Sequence, residues 1–369
     1  MRRTSLIDPK FLGALTGIVV FGLIMLLSAS GPFGLQKFGD SWYFFRHQLL
    51  YGVLPGILLF TVVSRIDYRI LKPFAVPALV ASIVLLILVY LPGIGVRLGG
   101  AGRWVHFGPW SFQPSEFVKV TFLVYVAAWL SVRQSNKAQT LQEGLFPFLF
   151  ALGIVMLLLV LQPNTGSMSV IAGASLLAYF VAGAPIVWFL SLGAIAAGLF
   201  ALLVKITPYR AARFMTFLHP ELDQQGIGYH INQAFLAVGS GGLFGMGYGH
   251  SRQKYLYLPE ASGDSIFAVM AEEMGFFVCV IFLAAMGYLV LRCFVIARNA
   301  PDEFGKFLAT GVGSWIAIQT VFNVASMIGL MPITGVTLPF VSYGSSAMIA
   351  LAAGTGIVAS ISRQSRTLS

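Results

Sequence analysis

Ile154-Val155-Met156-Leu157-Leu158-Leu159-Val160-Leu161 is an unbroken run of eight apolar residues. A strand of a membrane barrel alternates lipid-facing and lumen-facing side chains, so a run without alternation reads as helix immersed in hydrocarbon. Extending it to 144–161 approaches the roughly 20 apolar residues that a spanning helix needs. The same reading along the 369 residues finds about ten such segments: 11–30, 44–64, 73–92, 115–132, 144–161, 166–182, 184–205, 265–291, 307–328 and 344–361. The expected fold is an all-α polytopic membrane protein. It forms a single domain over 1–369, with about ten transmembrane helices and a large extracytoplasmic loop, 206–264, between the seventh and eighth.

Composition agrees. Only 10% of the residues are charged, against about 25% in soluble domains, too few to clothe a water-facing surface. That excludes a soluble enzyme, a disordered chain and a secreted disulfide scaffold. Cys279 and Cys293 lack metal-ligand spacing, and a disulfide between them is not expected.

The net charge of +10 is a matter of topology rather than a nucleic-acid footprint. With the N-terminus in the cytoplasm, the inner segments carry Arg2, Arg3, Lys10, Arg65, Arg69, Lys72, Arg133, Lys137, Arg292, Arg298, Lys306, Arg363 and Arg366. The short outer loops carry only Lys37, Arg46, Arg97 and Arg103. Inner loops are the Lys/Arg-rich ones, so both termini are expected inside. Ser28-Ala29-Ser30 looks like a signal-peptidase site, but the apolar run before it, Phe11 to Leu27, is long for a signal segment and reads as an uncleaved anchor.

Loops above ~15 residues are uncommon and usually functional. The 206–264 segment holds Arg210 and Arg213, an amphipathic stretch from Ile231 to Leu243, a glycine run and the acidic pair Glu260 and Asp264. No internal repeat is evident, which weighs against a transporter built from inverted halves.

Charges near hydrocarbon are expensive and call for an explanation. Glu116 and Lys119 follow Pro114-Ser115 with i, i+3 spacing, on one helix face. They make either an internal ion pair or a cation lining a cavity for an anion. Asp264 stands where the outer loop enters the eighth span. It is either a helix cap or a general base at the membrane boundary. Glu272 and Glu273 lie deeper in that span, and at least one needs a partner inside the bundle. Arg210 and Arg213 either anchor at lipid headgroups or clamp a pyrophosphate, which guanidinium binds bidentately. Gly239, Gly241, Gly242, Gly245, Gly247 and Gly249 follow no strand and precede no Lys-Ser/Thr, so they read as a close-packed or flexible loop, not a phosphate cradle. Two turn-rich segments, Gln162 to Gly166 and Pro332 to Ser346, fall on the same side as the long loop and point to a shared outward cavity. The five His are scattered without ligand spacing, so no zinc site is expected.

In order, Gly102-Arg103-Trp104, Gln113-Pro114-Ser115-Glu116-Phe117-Val118-Lys119, Gln162-Pro163, Tyr209-Arg210 with Arg213, Gly228-Tyr229, Gln233, the glycine run and Tyr257-Leu258-Pro259-Glu260 occupy the outer segments. Asp264, Glu272-Glu273-Met274-Gly275, Asn323 and Leu338-Pro339-Phe340-Val341-Ser342-Tyr343-Gly344 complete the set. This ordered set, spread over nearly the whole chain, resembles the SEDS family of shape, elongation, division and sporulation proteins (FtsW, RodA, SpoVE). Ser251-Arg252-Gln253-Lys254, Ser314-Trp315 and Gln319 look closer to the FtsW branch.

The resemblance implies a peptidoglycan glycosyltransferase in the bacterial cytoplasmic membrane, serving cell division or cell shape. It would polymerise lipid II with release of undecaprenyl pyrophosphate, beside a class B penicillin-binding transpeptidase. It implies Asp264 as catalytic base, and Lys119, Glu116, Arg103, Arg210 and Arg213 at the substrate. No cofactor is certain; a divalent cation, Mg or Mn, is compatible with phosphate chemistry, but no ligand set demands one. A lipid II flippase and a non-catalytic scaffold for the transpeptidase are the alternatives. Two departures stand out. Asn164 follows Gln-Pro where the family usually has Asp, a change that is neutral if the position only caps a helix. Ser262-Gly263-Asp264-Ser265 replaces the usual His-Thr-Asp-Phe, keeping the carboxylate among smaller neighbours.

Overall fold

The computed structural model describes residues 6–91, 93, 95–98, 101–107, 110–133, 140–206, 215–219 and 227–365. In chain order the principal elements are α1 (Pro9–Phe38), α2 (Tyr43–Arg65), α3 (Ala75–Leu88), β1 (Gly95–Leu98), β2 (Ala101–Phe107), β3 (Trp110–Phe112), α4 (Pro114–Val132) and α5 (Leu141–Leu161). They continue with α6 (Thr165–Val181), α7 (Ile186–Ile206), α8 (Ile227–Ser240), α9 (Ile266–Arg298), α10 (Glu303–Met327) and α11 (Ser345–Gln364). Seven of these helices, α1, α2, α4, α5, α9, α10 and α11, are long and apolar enough to cross a membrane. α3, α6 and the first half of α7 are shorter apolar helices. Every expected span corresponds to one of these ten, and the protein is a multi-pass membrane protein.

One feature was not legible as a span or a loop. Between α3 and α4 the chain forms a three-stranded antiparallel sheet in the order β1-β2-β3. Val105, at its centre, pairs with Gly95 on one side and Phe112 on the other and is fully buried. The 206–264 segment contains α8, which includes most of the expected amphipathic stretch; its Ile231, Ala234 and Ala237 are buried at helical spacing against α9.

α10 is the hub, packing against α4, α6, α9 and α11. Its apolar window is 78% buried, against 33% for α9, so α10 is ringed by protein while α9 offers most of its surface to lipid. Trp315 on α10 is completely buried.

One end of the bundle fastens the chain's beginning to its end. Asp8 caps α1 by accepting from the amides of Lys10 (3.0 Å) and Phe11 (3.3 Å), and it pairs with Arg292. Its own amide donates to Ser362 Oγ at 3.1 Å. Asp302 caps α10 at the same end through the Gly305 amide (2.8 Å) and accepts from Arg69 Nε at 2.6 Å and the Tyr68 hydroxyl at 2.8 Å. A cavity of about 810 Å³ lies there, lined by Phe294, Arg298, Asp302, Glu303 and Lys306 among others. Among its charges, Lys306 pairs with Glu303 and Asp302 with Arg69.

α9 is broken near the opposite end. Gly275 takes φ 74° and ψ −178° inside it, an extended mirror conformation open to glycine alone. The glycine run fills the break. Met246 and Gly247 donate their amides to the carbonyls of Glu272 and Glu273 (both 2.9 Å). Phe276 and Phe277 donate to the carbonyls of Gly242 (2.9 Å) and Leu243 (3.2 Å). A Cβ at Gly245 would lie 2.2 Å from the Glu273 carbonyl oxygen. The run is therefore a close-packed splint for a broken helix, with no phosphate-cradling geometry.

Candidate active site

The end opposite Asp8 collects the polar residues singled out in the sequence. Pro114 opens α4 at its first position, where no amide is needed, and this puts Glu116 in the first turn and Lys119 one turn deeper. Both are buried, at 5% and 2% exposure. Lys119 Nζ donates to Glu116 Oε1 at 2.7 Å and to Gln319 Oε1 at 3.0 Å, and it lies 5.6 Å from the Trp315 ring centroid. Trp315 Nε1 also donates to Gln319 Oε1, at 2.6 Å.

α10 links this cation to Asp264. Gln319 and Asn323 are four residues apart, on one face. Gln319 Nε2 donates to the Thr337 carbonyl at 3.0 Å. Asn323 Nδ2 donates to the carbonyls of Val336 (2.8 Å) and Asp264 (2.7 Å). One rigid helix thus fastens α4, the 332–344 segment and the Asp264 turn together.

Asp264 is half-buried and sits outside α9, because Ser265 holds the cap position. The capping alternative for Asp264 is thereby set aside. Its Oδ2 faces Gly335, where a Cβ would stand 3.8 Å away. The backbone around it is held in uncommon geometry: Leu256 (φ 71°), Glu260 (φ 50°) and Phe340 (φ 66°) adopt left-handed conformations that non-glycine residues rarely take. Such strain persists only where surrounding contacts enforce it.

The other turn-rich segment joins the same place. Asn164 caps α6 by accepting from the Ser167 amide (3.2 Å), and its Nδ2 donates to Ser115 Oγ (3.0 Å). A Cβ at Gly166 would strike Val336 Cγ2 at 2.4 Å and the Thr334 carbonyl at 2.9 Å. The two turn-rich segments therefore touch. Arg103 reaches this region too, but it donates to the carbonyls of Gln162 (3.4 Å) and Pro163. Arg210 and Arg213 lie outside the described residues.

Glu116 Oε2, Asn323 Oδ1 and Thr334 Oγ1 are buried and have no hydrogen-bond partner among the described residues. A buried polar atom left in that state costs about 1–3 kcal/mol. Three of them lie on the segments that converge here, while others, such as Ser30 Oγ and Gln253 Oε1, lie on other segments.

Glu272 and Glu273 belong elsewhere. Glu273 pairs with Lys254 at 2.6 Å, and Glu272 accepts from the amides of Arg252 (3.0 Å) and Gln253 (3.3 Å). Both secure the 251–254 turn against the broken helix.

Sequence reasoning did not find the contribution of α2. There His47 Nδ1 meets the Tyr343 hydroxyl (2.9 Å), and Gln48 Oε1 accepts from the Gly344 amide (3.0 Å). Burial pushes the Tyr343 hydroxyl up to about 12, so it stays protonated. A π-helical turn at Leu49–Val53 follows directly, a local feature often seen near functional sites. Gln319 carried a signal that was available: an amide four residues from Asn323 inside an otherwise apolar span.

The geometry defines a class: a polytopic membrane protein with a buried lysine, a half-buried carboxylate and unmatched polar atoms gathered at one end of its helices. The FtsW/RodA/SpoVE cell cycle protein family matches residues 10–367, and the chain belongs to that family. It is 40% identical over 352 residues to stage V sporulation protein E of Bacillus subtilis, covering 95% of each chain. It is 38% identical to a probable peptidoglycan glycosyltransferase FtsW of Trichlorobacter lovleyi, covering 96% of this chain and 93% of that one. Among solved structures it resembles a chain of a peptidoglycan synthase complex, with TM-score 0.80, 27% identity, and 97% and 98% of the two chains covered. It also resembles the rod shape determining protein RodA of Thermus thermophilus, with TM-score 0.71, 28% identity and 98% of each chain covered.

Proposed function

We propose a residue-level reaction for this family member, a peptidoglycan glycosyltransferase. A sugar 4-hydroxyl attacks the anomeric carbon of a lipid-linked glycan, and undecaprenyl pyrophosphate leaves. Asp264 takes the proton from the attacking hydroxyl, and Lys119 answers the negative charge that develops on the pyrophosphate. Glu116 orients Lys119. Arg210, Arg213 and Arg103 are the further cations proposed for pyrophosphate; Arg103 would first have to exchange its bonds to the Gln162-Pro163 turn.

The observation that carries this reading is the α10 ladder. Gln319 holds Lys119, and Asn323 holds the Asp264 backbone, so one helix fixes both a cation and a carboxylate. Positioning of this kind is what a reaction between two bulky lipid-linked substrates requires.

The reaction would run at the outer face of the bacterial cytoplasmic membrane, with both termini inside. The Lys/Arg distribution supports this, as does the meeting of Asp8 with Ser362 at the end away from Asp264. A class B penicillin-binding transpeptidase is the proposed partner, in keeping with the synthase complex that the chain resembles. Among the described residues no three His, Cys, Asp or Glu side chains gather, and Glu116 is committed to Lys119. That donor set forms no protein cage, so a divalent cation, Mg or Mn, would be held mainly by the substrate's own phosphate oxygens.

The test is labelled lipid II in proteoliposomes, with and without the transpeptidase. The wild type is expected to make glycan polymer. Asp264→Asn is expected to lose about 10²–10⁴ of the rate while remaining folded. Polymer made at wild-type rate by Asp264→Asn would remove the base from the mechanism. Lipid II crossing the bilayer without polymer would mean a flippase, and neither outcome would mean a scaffold.

A further inference from the structure

Ser265 stands at the cap position of α9, yet its hydroxyl does not cap the helix. Serine is favoured there because its oxygen accepts from the amides of the first turn. Here the side chain is turned away and fully buried. Its Oγ donates to the Pro259 carbonyl at 2.9 Å and lies 2.6 Å from His230 Nε2.

The roles follow from proton counting. A carbonyl only accepts, so the single Ser265 proton is committed to Pro259. His230 must therefore be the donor, through Nε2–H. That proton is present in both the neutral tautomer and the imidazolium, so the bond holds in either state.

His230 lies in the first turn of α8 and shares a face with Ala234 and Ala237, which are buried against α9. The turn it reaches is the one that presents Asp264. That turn is closed by the Gly263 and Ser265 amides on the Glu260 carbonyl, at 2.8 and 3.2 Å. It is tied to α10 through Asn323, and to the 332–344 segment through the Tyr343 amide on the Ser262 carbonyl (2.8 Å). The His230–Ser265 bond ties it to α8.

We propose that His230 is a positioning residue for glycosyl transfer: by donating to Ser265 it sets the orientation of the Asp264 carboxylate and couples it to α8. The inference rests on the reading of Asp264 as the base. A displacement of about 1 Å at a reacting group can cost on the order of 100-fold in rate.

The experiment uses the full chain with its transpeptidase in proteoliposomes and follows initial polymerisation rates against lipid II concentration. His230→Ala and Ser265→Ala are each expected to lower kcat about 10- to 100-fold with KM unchanged. The double variant is expected to fall no further than the worse single one. His230→Gln, whose amide nitrogen comes near the position of Nε2, is expected to recover most of the rate; His230→Asn, whose amide mimics Nδ1, is not. This Gln/Asn contrast decides the matter if the alanine variants fail to fold. Wild-type kcat in His230→Ala, additive losses in the double variant, or equal rates in His230→Gln and His230→Asn would each overturn the proposal.

Asp264→Asn run alongside separates the two ideas. If it is active, the base reading fails. The His230 tie is then judged by hydrogen exchange of amides 260–268, which is expected to speed up in His230→Ala and not in His230→Gln. Unchanged exchange in His230→Ala would refute the tie itself.

Discussion

Two lysines in this protein are buried against glutamates, and their surroundings differ. Lys254 meets Glu273 at 2.6 Å in the splint beneath the broken helix. Lys119 meets Glu116 at 2.7 Å near the Asp264 turn. Around Lys254 all three ammonium donors are placed, although the neighbouring Gln253 Oε1 has no partner among the described residues. The Lys254 ammonium also donates to Ser28 Oγ and the Gly249 carbonyl, both at 2.8 Å, and Glu273 accepts from Ser28 and from the Ser251 amide (3.3 Å). Around Lys119 the account is open: two of three donors are used, and Glu116 Oε2 has no partner among the described residues. A pair whose donors are all placed suits a role in the fold, whereas one with a free donor and a free acceptor suits the ligand-binding role proposed for Lys119.

The largest expected effect tests the closed pair. Lys254→Met leaves Glu273 buried without its counter-charge, which typically costs about 3–5 kcal/mol. The thermal midpoint of the detergent-solubilised protein should fall sharply, or the protein should be lost from the membrane. A variant as stable as the wild type would show that the splint is not held by this pair.

Removing both charges sharpens the contrast. Exchanging a whole buried pair for neutral groups is often close to neutral in stability. Lys254→Met combined with Glu273→Gln should recover most of the lost stability and should polymerise lipid II. Lys119→Met combined with Glu116→Gln should fold equally well and fail to polymerise. If the Lys119 double variant retained polymerisation, the open pair would be structural like the other one, and the pyrophosphate would have to be met by arginines alone.

The two pairs were not equally visible in the sequence. Lys119 and Glu116 stand out because charge inside an apolar run is costly and their spacing puts them on one face. Lys254 sits in a polar loop, and its partners Ser28 and Glu273 are far away in the chain, so nothing local announces it. The spans were legible from run length alone. The break at Gly275 was not, because Met274-Gly275-Phe276-Phe277 reads as uninterrupted hydrocarbon until the glycine run is seen lying against it. The small sheet was missed for a related reason: strands of three to seven residues between two spans offer too short a pattern to register. Arg103 was legible as a charge between two spans but not as one already holding the Gln162-Pro163 turn, since that contact exists only once the sheet has formed.

The smallest expected effect concerns Asn164, where the family usually has Asp. The structure gives this side chain two jobs: its oxygen caps α6, and its amide donates to Ser115 Oγ. Asp performs the first equally well, and the Ser115 hydroxyl can rotate to donate toward a carboxylate, so Asn164→Asp should leave both stability and polymerisation unchanged. Asn164→Ala loses the cap and should cost about 1 kcal/mol, read as a modest drop in thermal midpoint with polymerisation largely kept. A several-fold gain in rate for Asn164→Asp would instead mean that negative charge at this turn serves the reaction. Asn164 lies against Ser115, one residue before Glu116, so that outcome would enlarge the open site around Lys119 by one more group and shift the boundary between the residues that serve the fold and those that serve the reaction.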